Sequence, residues 1–157
     1  MKIELIKQII NDGDYINYGL KYKKLKYCCD KMENNPLIDL VEDADNDYNM
    51  EGLLPSVTLC YSKHIIDYED EWEEDTYYKI NYCPFCGEPI EISIIMEEDI
   101  SEIYNNIKNK RYKLWEECCD TGNIKRIEEI RKNIFELDNK INYFYSLVEY
   151  DESWREW

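Results

Sequence analysis

Histidine is almost absent from this 157-residue chain: His64 stands alone. One imidazole leaves little for general acid–base work near neutral pH. Glycine is also scarce, with five in the chain, and none gathers into a phosphate-cradling loop. No H-E-x-x-H metalloprotease helix and no paired nucleophile and base can be traced either. Carboxylates are so abundant that choosing a catalytic pair among them would be arbitrary. A non-enzymatic role is the expectation.

Long apolar runs are missing as well. No stretch approaches the roughly 20 residues of a membrane-spanning helix. Met1-Lys2-Ile3-Glu4-Leu5 lacks the apolar core of a secretion signal. A soluble, cytoplasmic protein without a membrane partner is expected. The seven cysteines then speak for metal or free thiols rather than a disulfide framework.

Basic residues are lacking where acids are densest. Residues 1–31 hold seven lysines against four acids, and residues 32–102 hold twenty acids against two lysines. Residues 103–157 hold ten basic and eleven acidic side chains, so +3, −18 and −1 make up the net charge of −16. A field of that sign repels nucleic acid and lipid headgroups and favours basic protein surfaces. A solvated face kept for solubility would look the same in sequence.

What the chain does have is the knuckle Tyr82-Cys83-Pro84-Phe85-Cys86-Gly87-Glu88-Pro89. Two thiolates two residues apart can grip one tetrahedral Zn²⁺ from a single turn. Pro84 fixes φ after the first ligand, and Gly87 permits a left-handed backbone after the second. A pair of free thiols in a turn is the plain alternative. A thioredoxin-type redox pair would open a helix, whereas here the β-type run from Ile90 to Ile95 follows. One knuckle gives two ligands, so two more must come from elsewhere.

Residues 2–11 place Ile3, Leu5, Ile6, Ile9 and Ile10 at helical spacing, which predicts an N-terminal amphipathic helix. Tyr15 to Tyr27 interleaves lysines with tyrosines. That pattern suits an amphipathic segment with its lysines in water, or a nucleic-acid stacking surface. Four lysines cannot outweigh the acidic majority, so direct nucleic-acid binding is not expected.

Cys28-Cys29-Asp30-Lys31-Met32 follows at once. A Tyr-Cys-Cys-x-x-Met segment paired with a later Asn-Tyr-Cys-Pro-Phe-Cys-Gly knuckle resembles small zinc-ribbon-like proteins of phages, prophages and low-GC Gram-positive bacteria. The resemblance covers roughly residues 26–95. It implies a zinc-stabilised small domain in which Cys28 and Cys29 complete the site of Cys83 and Cys86. It implies no enzyme activity. The acidic insertions and the flanking helices depart from the pattern.

Glu42 to Asp47 is an acidic loop, but it lacks the glycine and terminal glutamate of an EF-hand. Val57 to Ile66, Tyr77 to Tyr82 and Pro89 to Met96 read as strands of a three-stranded antiparallel meander, with the knuckle between the last two. Cys60 and His64 form a rival ligand pair. In a strand about 13 Å of rise would separate them, too far for one tetrahedral ion; in a helix both could bind.

Beyond Glu97 the pattern turns helical. Ile100, Ile103, Ile107, Leu114 and Cys118 make one stripe. Ile127, Ile130, Ile134, Leu137, Ile141, Phe144 and Val148 make an a/d seam. The seam predicts an antiparallel helical hairpin, or a dimerising or partner-binding helix. The vicinal Cys118-Cys119 lies near the turn.

The expected fold is therefore α+β, with an N-terminal helix and zinc-ribbon-like sheet over 1–96 and a helical hairpin over 97–157. The expected function is that of an acidic protein binding a basic, nucleic-acid-binding host protein in the host cytoplasm. An inhibitor of a defence nuclease that mimics DNA is its sharpest form. The expected contact residues are Glu69, Asp70, Glu71, Glu73 and Glu74, with Trp154 and Trp157 as aromatic anchors. The alternative is a structural adaptor or regulatory subunit, a homodimer among its forms, assembling through the heptad helix.

Overall fold

A computed structural model describes residues 1–41, 55–67 and 70–156. The class is α+β. In chain order the elements are β1 (Lys2–Asn11), β2 (Ile16–Lys26), α1 (Asp30–Glu33), β3 (Ile38–Val41), β4 (Ser56–Asp67), β5 (Asp70–Lys79), β6 (Glu91–Asp99), α2 (Ser101–Asp120), α3 (Ile124–Tyr145) and β7 (Val148–Glu149), ending in a 3₁₀ turn, Glu152–Glu156. One sheet has the order β6-β1-β2-β7, the other β3-β4-β5. The acidic loop over Glu42–Asp47 lies outside the described residues.

The expected N-terminal helix is a strand. Along β1, Ile3 and Leu5 are buried on one phase of the pleat; from Ile6 the buried set becomes Ile6, Gln8 and Ile10. A period-two pattern that changes phase once spaces its apolar residues irregularly, and that irregularity imitates a 3.6-residue period. Asp12 and Gly13 then turn the chain into β2: Gly13 has φ +100°, and the Asp12 carboxylate accepts from the Tyr15 amide at 3.1 Å.

The expected meander is also corrected. β4 and β5 pair antiparallel, with Thr58 opposite Lys79 and Asp67 opposite Asp70. β6, however, lies beside β1 and not beside β5. The chain divides into two compact units, one of Met1–Leu5 with Lys23–Ser93, the other of Ile6–Tyr22 with Ile94–Trp157. Residues 6–22 thus join the helical part, a grouping that local sequence does not reveal.

The helical unit has a conventional core. Ile6, Ile10, Ile100, Tyr104, Ile107, Leu137, Phe144, Tyr150 and Trp154 form one buried cluster. The helices α2 and α3 pack on each other, joined by three residues. Arg111 pairs with Asp138, and Arg126 with Glu117 at 2.7 Å. On the seam, Ile130, Leu137 and Phe144 are buried, while Ile127, Ile134 and Ile141 are half-buried.

Trp154 is not a surface anchor. It is 1 % exposed, and its ring meets Phe144 edge-on at 5.8 Å. Tyr150 is buried too, its hydroxyl donating to Glu98 at 2.9 Å. The tail folds back because the 3₁₀ turn points Trp154 inward, an outcome that its acidic neighbours conceal. Trp157 lies outside the described residues.

Lys21 departs from the water-facing pattern expected of its segment. Its side chain is fully buried. Nζ donates to the carbonyls of Tyr143 and Ser146, both at 2.5 Å, and of Phe144 at 3.2 Å. A cation there meets carbonyls at the end of α3 and the negative end of its dipole. Lys23, Lys24 and Lys26 remain exposed.

Candidate metal centre

Four cysteines from two places in the sequence converge in the first unit. Cys28 and Cys29 sit in the short link between β2 and α1. Cys29 precedes the first helical residue, and its carbonyl accepts from the amides of Met32 and Glu33. Met32 is buried, which anchors this turn.

The knuckle is built as its residues dictate. The Cys83 amide donates to the Glu88 carbonyl at 2.8 Å, and the Gly87 amide to the Cys83 carbonyl at 3.0 Å. Gly87 takes φ +76°, a region that costs any residue with a Cβ. A bridge between Tyr82 and Pro89 closes the base of the loop. Below it the Met1 ammonium donates to the Pro89 carbonyl at 2.8 Å, and the Glu91 amide to the Met1 carbonyl at 2.9 Å.

The Sγ atoms of Cys28, Cys29, Cys83 and Cys86 all lie within 4.8 Å of one another. Cys29 and Cys83 are 3.7 Å apart, Cys28 and Cys86 3.5 Å. These separations are far beyond a disulfide bond of about 2.05 Å. They match a tetrahedron of sulfurs about 2.3 Å from a central ion, whose edges are about 3.8 Å. The group can hold a metal ion. Four protein ligands close the coordination sphere and leave no open position for a substrate.

The electrostatics also ask for a cation. Burial pushes the Cys83 thiol up, but the amides of Phe85 and Cys86 and the neighbouring thiols outweigh it and bring it down to about 6. At Cys86 the Glu88 amide lowers the pKa, yet burial and the other three thiols push it up to about 12. Without a positive ion the thiolate is favoured at Cys83 and opposed at Cys86. A divalent ion removes that opposition.

The other sequence candidates stay apart. β4 is extended through Cys60 and His64, so about 13 Å of strand rise separates them. Cys118 and Cys119 sit at the end of α2, and no metal-competent group among the described residues includes them. Asp70, Glu71, Glu73 and Glu74 lie on β5, with Glu74 exposed, while Glu69 falls outside the described residues. Sequence reasoning missed Lys21; its place in a Lys-Tyr repeat gave no signal of burial. Among the described residues no helix is long and apolar enough to cross a membrane.

Set against protein-family models, curated proteins and solved structures, the chain matches none of them.

Proposed function

We propose that this chain is a non-enzymatic, zinc-stabilised protein that binds a basic protein surface. Four cysteines in a tetrahedral arrangement are a common ligand set of structural zinc sites. Such a site supports folding and performs no chemistry. The observation that carries the binding reading is the placement of charge. Five of the ten residues of β5 are acidic against one lysine, and the whole segment 32–102 stands at −18. An inhibitor that occupies the nucleic-acid groove of a nuclease is the sharpest form of this reading, as the resemblance to phage zinc-ribbon-like proteins suggests.

The alternative, an adaptor assembling through the heptad helix, is less favoured. Ile130, Leu137 and Phe144 of that seam are already covered within the chain.

Reversing Glu69, Asp70, Glu71, Glu73 and Glu74 to lysine tests the reading, with immobilised poly-lysine as probe. A control reverses the same number of acids at Glu42, Asp43, Asp45, Asp47 and Glu51. Retention at about 50 mM salt, inside a Debye length of roughly 14 Å, should collapse for the β5 variant and survive in the control. Equal loss in both would reduce the acid to a solubility device.

A further inference from the structure

β5 is the outer strand of its sheet, and it is long. Its partner β4 is flanked by β3 only from Ser56 to Leu59. Beyond that point, among the described residues, β4 pairs only with β5, as far as the Asp67–Asp70 pair. Proteins usually shorten, cover or bulge such an edge. Here ten residues of β5 run in unbroken register with β4.

The register fixes which backbone groups are free. The Ile80 amide donates to the Val57 carbonyl at 2.9 Å, so 57 and 80 form a hydrogen-bonded pair. Antiparallel ladders alternate such pairs with non-bonded ones. The inward-bonding positions of β5 are therefore Asp70, Trp72, Glu74, Thr76 and Tyr78. The amides and carbonyls of Glu71, Glu73, Asp75, Tyr77 and Lys79 point away from β4. Among the described residues no strand pairs with that side.

We propose that this edge takes up a basic, extended polypeptide segment as an added strand, through the outward backbone groups of residues 71, 73, 75, 77 and 79. The inference rests on the reading that the partner is basic, and it names how that partner is held. Main-chain hydrogen bonds supply the grip and alternate side chains the selectivity. Charge chooses the occupant. A second copy of β5 would set acid against acid across the ladder, which is destabilising. Nucleic acid is repelled for the same reason. A strand carrying Lys or Arg at alternate positions is matched in charge to Glu71, Glu73 and Asp75, three of the five outward positions.

The probe is a fluorescent (Lys-Val)₄ peptide, compared with the same peptide N-methylated at alternate residues. N-methylation keeps the charge and removes the hydrogen bonds along one edge. Anisotropy should show the plain peptide binding at least about tenfold more tightly, since each net hydrogen bond is worth about 1 kcal/mol and tenfold is about 1.4. Hydrogen exchange should slow at the amides of Glu71, Glu73, Asp75, Tyr77 and Lys79 when the peptide binds. Tyr77→Pro, which removes an outward donor and no inward one, should cost about tenfold; Tyr77→Thr, with its N–H intact, should bind as the native chain does. Equal binding of both peptides, without protection along β5, would overturn strand addition and leave the basic-partner reading standing. Binding of neither would overturn both.

Discussion

The two compact units are held together by different means. In the helical unit, four aromatic residues, Tyr104, Phe144, Tyr150 and Trp154, close over isoleucines and a leucine. In the other unit the described buried apolar residues are Met1, Ile3, Leu5, Met32, Val57 and Cys83, with no aromatic among them. That unit also carries the edge of β5 with which no described strand pairs. The four converging thiols lie in this unit, and a metal ion held between them would staple it. Cross-linking by metal lets a chain keep its surface acidic and its strands exposed, because the fold no longer depends on burying them.

Metal removal should break the comparison most sharply. Structural zinc in small domains contributes about 10–16 kcal/mol of apparent binding free energy, more than the total stability of many domains. Mass spectrometry of the purified native protein should find about one zinc per chain. A Cys28→Ser/Cys29→Ser variant, or treatment with a strong chelator, should lose it, and limited proteolysis should then cut within residues 23–93. The helical signal at 222 nm, which comes from α2 and α3, should largely remain. Native protein without zinc would discard the staple and return the knuckle to redox chemistry.

This contrast also explains what the sequence could and could not say. Cys83 and Cys86 were legible because turn, proline and glycine sit within five residues, and the a/d seam because its repeat is local. The rest depended on non-local pairing. β1 imitates a helix because its buried phase changes between Leu5 and Ile6. β6 leaves β5 for β1 because strand partners are chosen by the whole sheet, not by neighbours in sequence. Trp154 and Lys21 look like surface residues among charges, and only the tertiary fold shows that one fills the core and the other ends α3.

Lys21 sharpens the comparison from the helical side. Lys21→Met keeps the length of the side chain but leaves the carbonyls of Tyr143, Phe144 and Ser146 without their cation. A hydrogen bond to a charged donor is worth about 1.5–3 kcal/mol net. Urea denaturation followed at 222 nm should show a loss of at least that size, with zinc content unchanged. A neutral result would mean that water replaces the ammonium and that the end of α3 is less enclosed than its burial indicates.

The smallest effect is electrostatic and belongs to the start of α2. The Ser101 hydroxyl and amide both donate to Asp99, at 2.5 and 2.9 Å, and hold its carboxyl below the usual range. Ser101 in turn accepts from the Asn11 amide at 2.8 Å, so the carboxylate steadies a junction between β1 and α2. A carboxyl depressed in the folded state lends stability that is present above its unfolded pKa, about 3.9, and is lost as pH falls through the lower folded value. Asp99→Asn keeps an acceptor and removes the charge. The variant should therefore melt slightly below the native protein at about pH 6, and the gap should narrow as the pH falls below about 3.9. Reading Tm from the 222 nm signal confines the measurement to the helical unit, whatever acid does to the thiolates of the other. A gap that stayed constant with pH would assign the effect to hydrogen-bond geometry and not to charge.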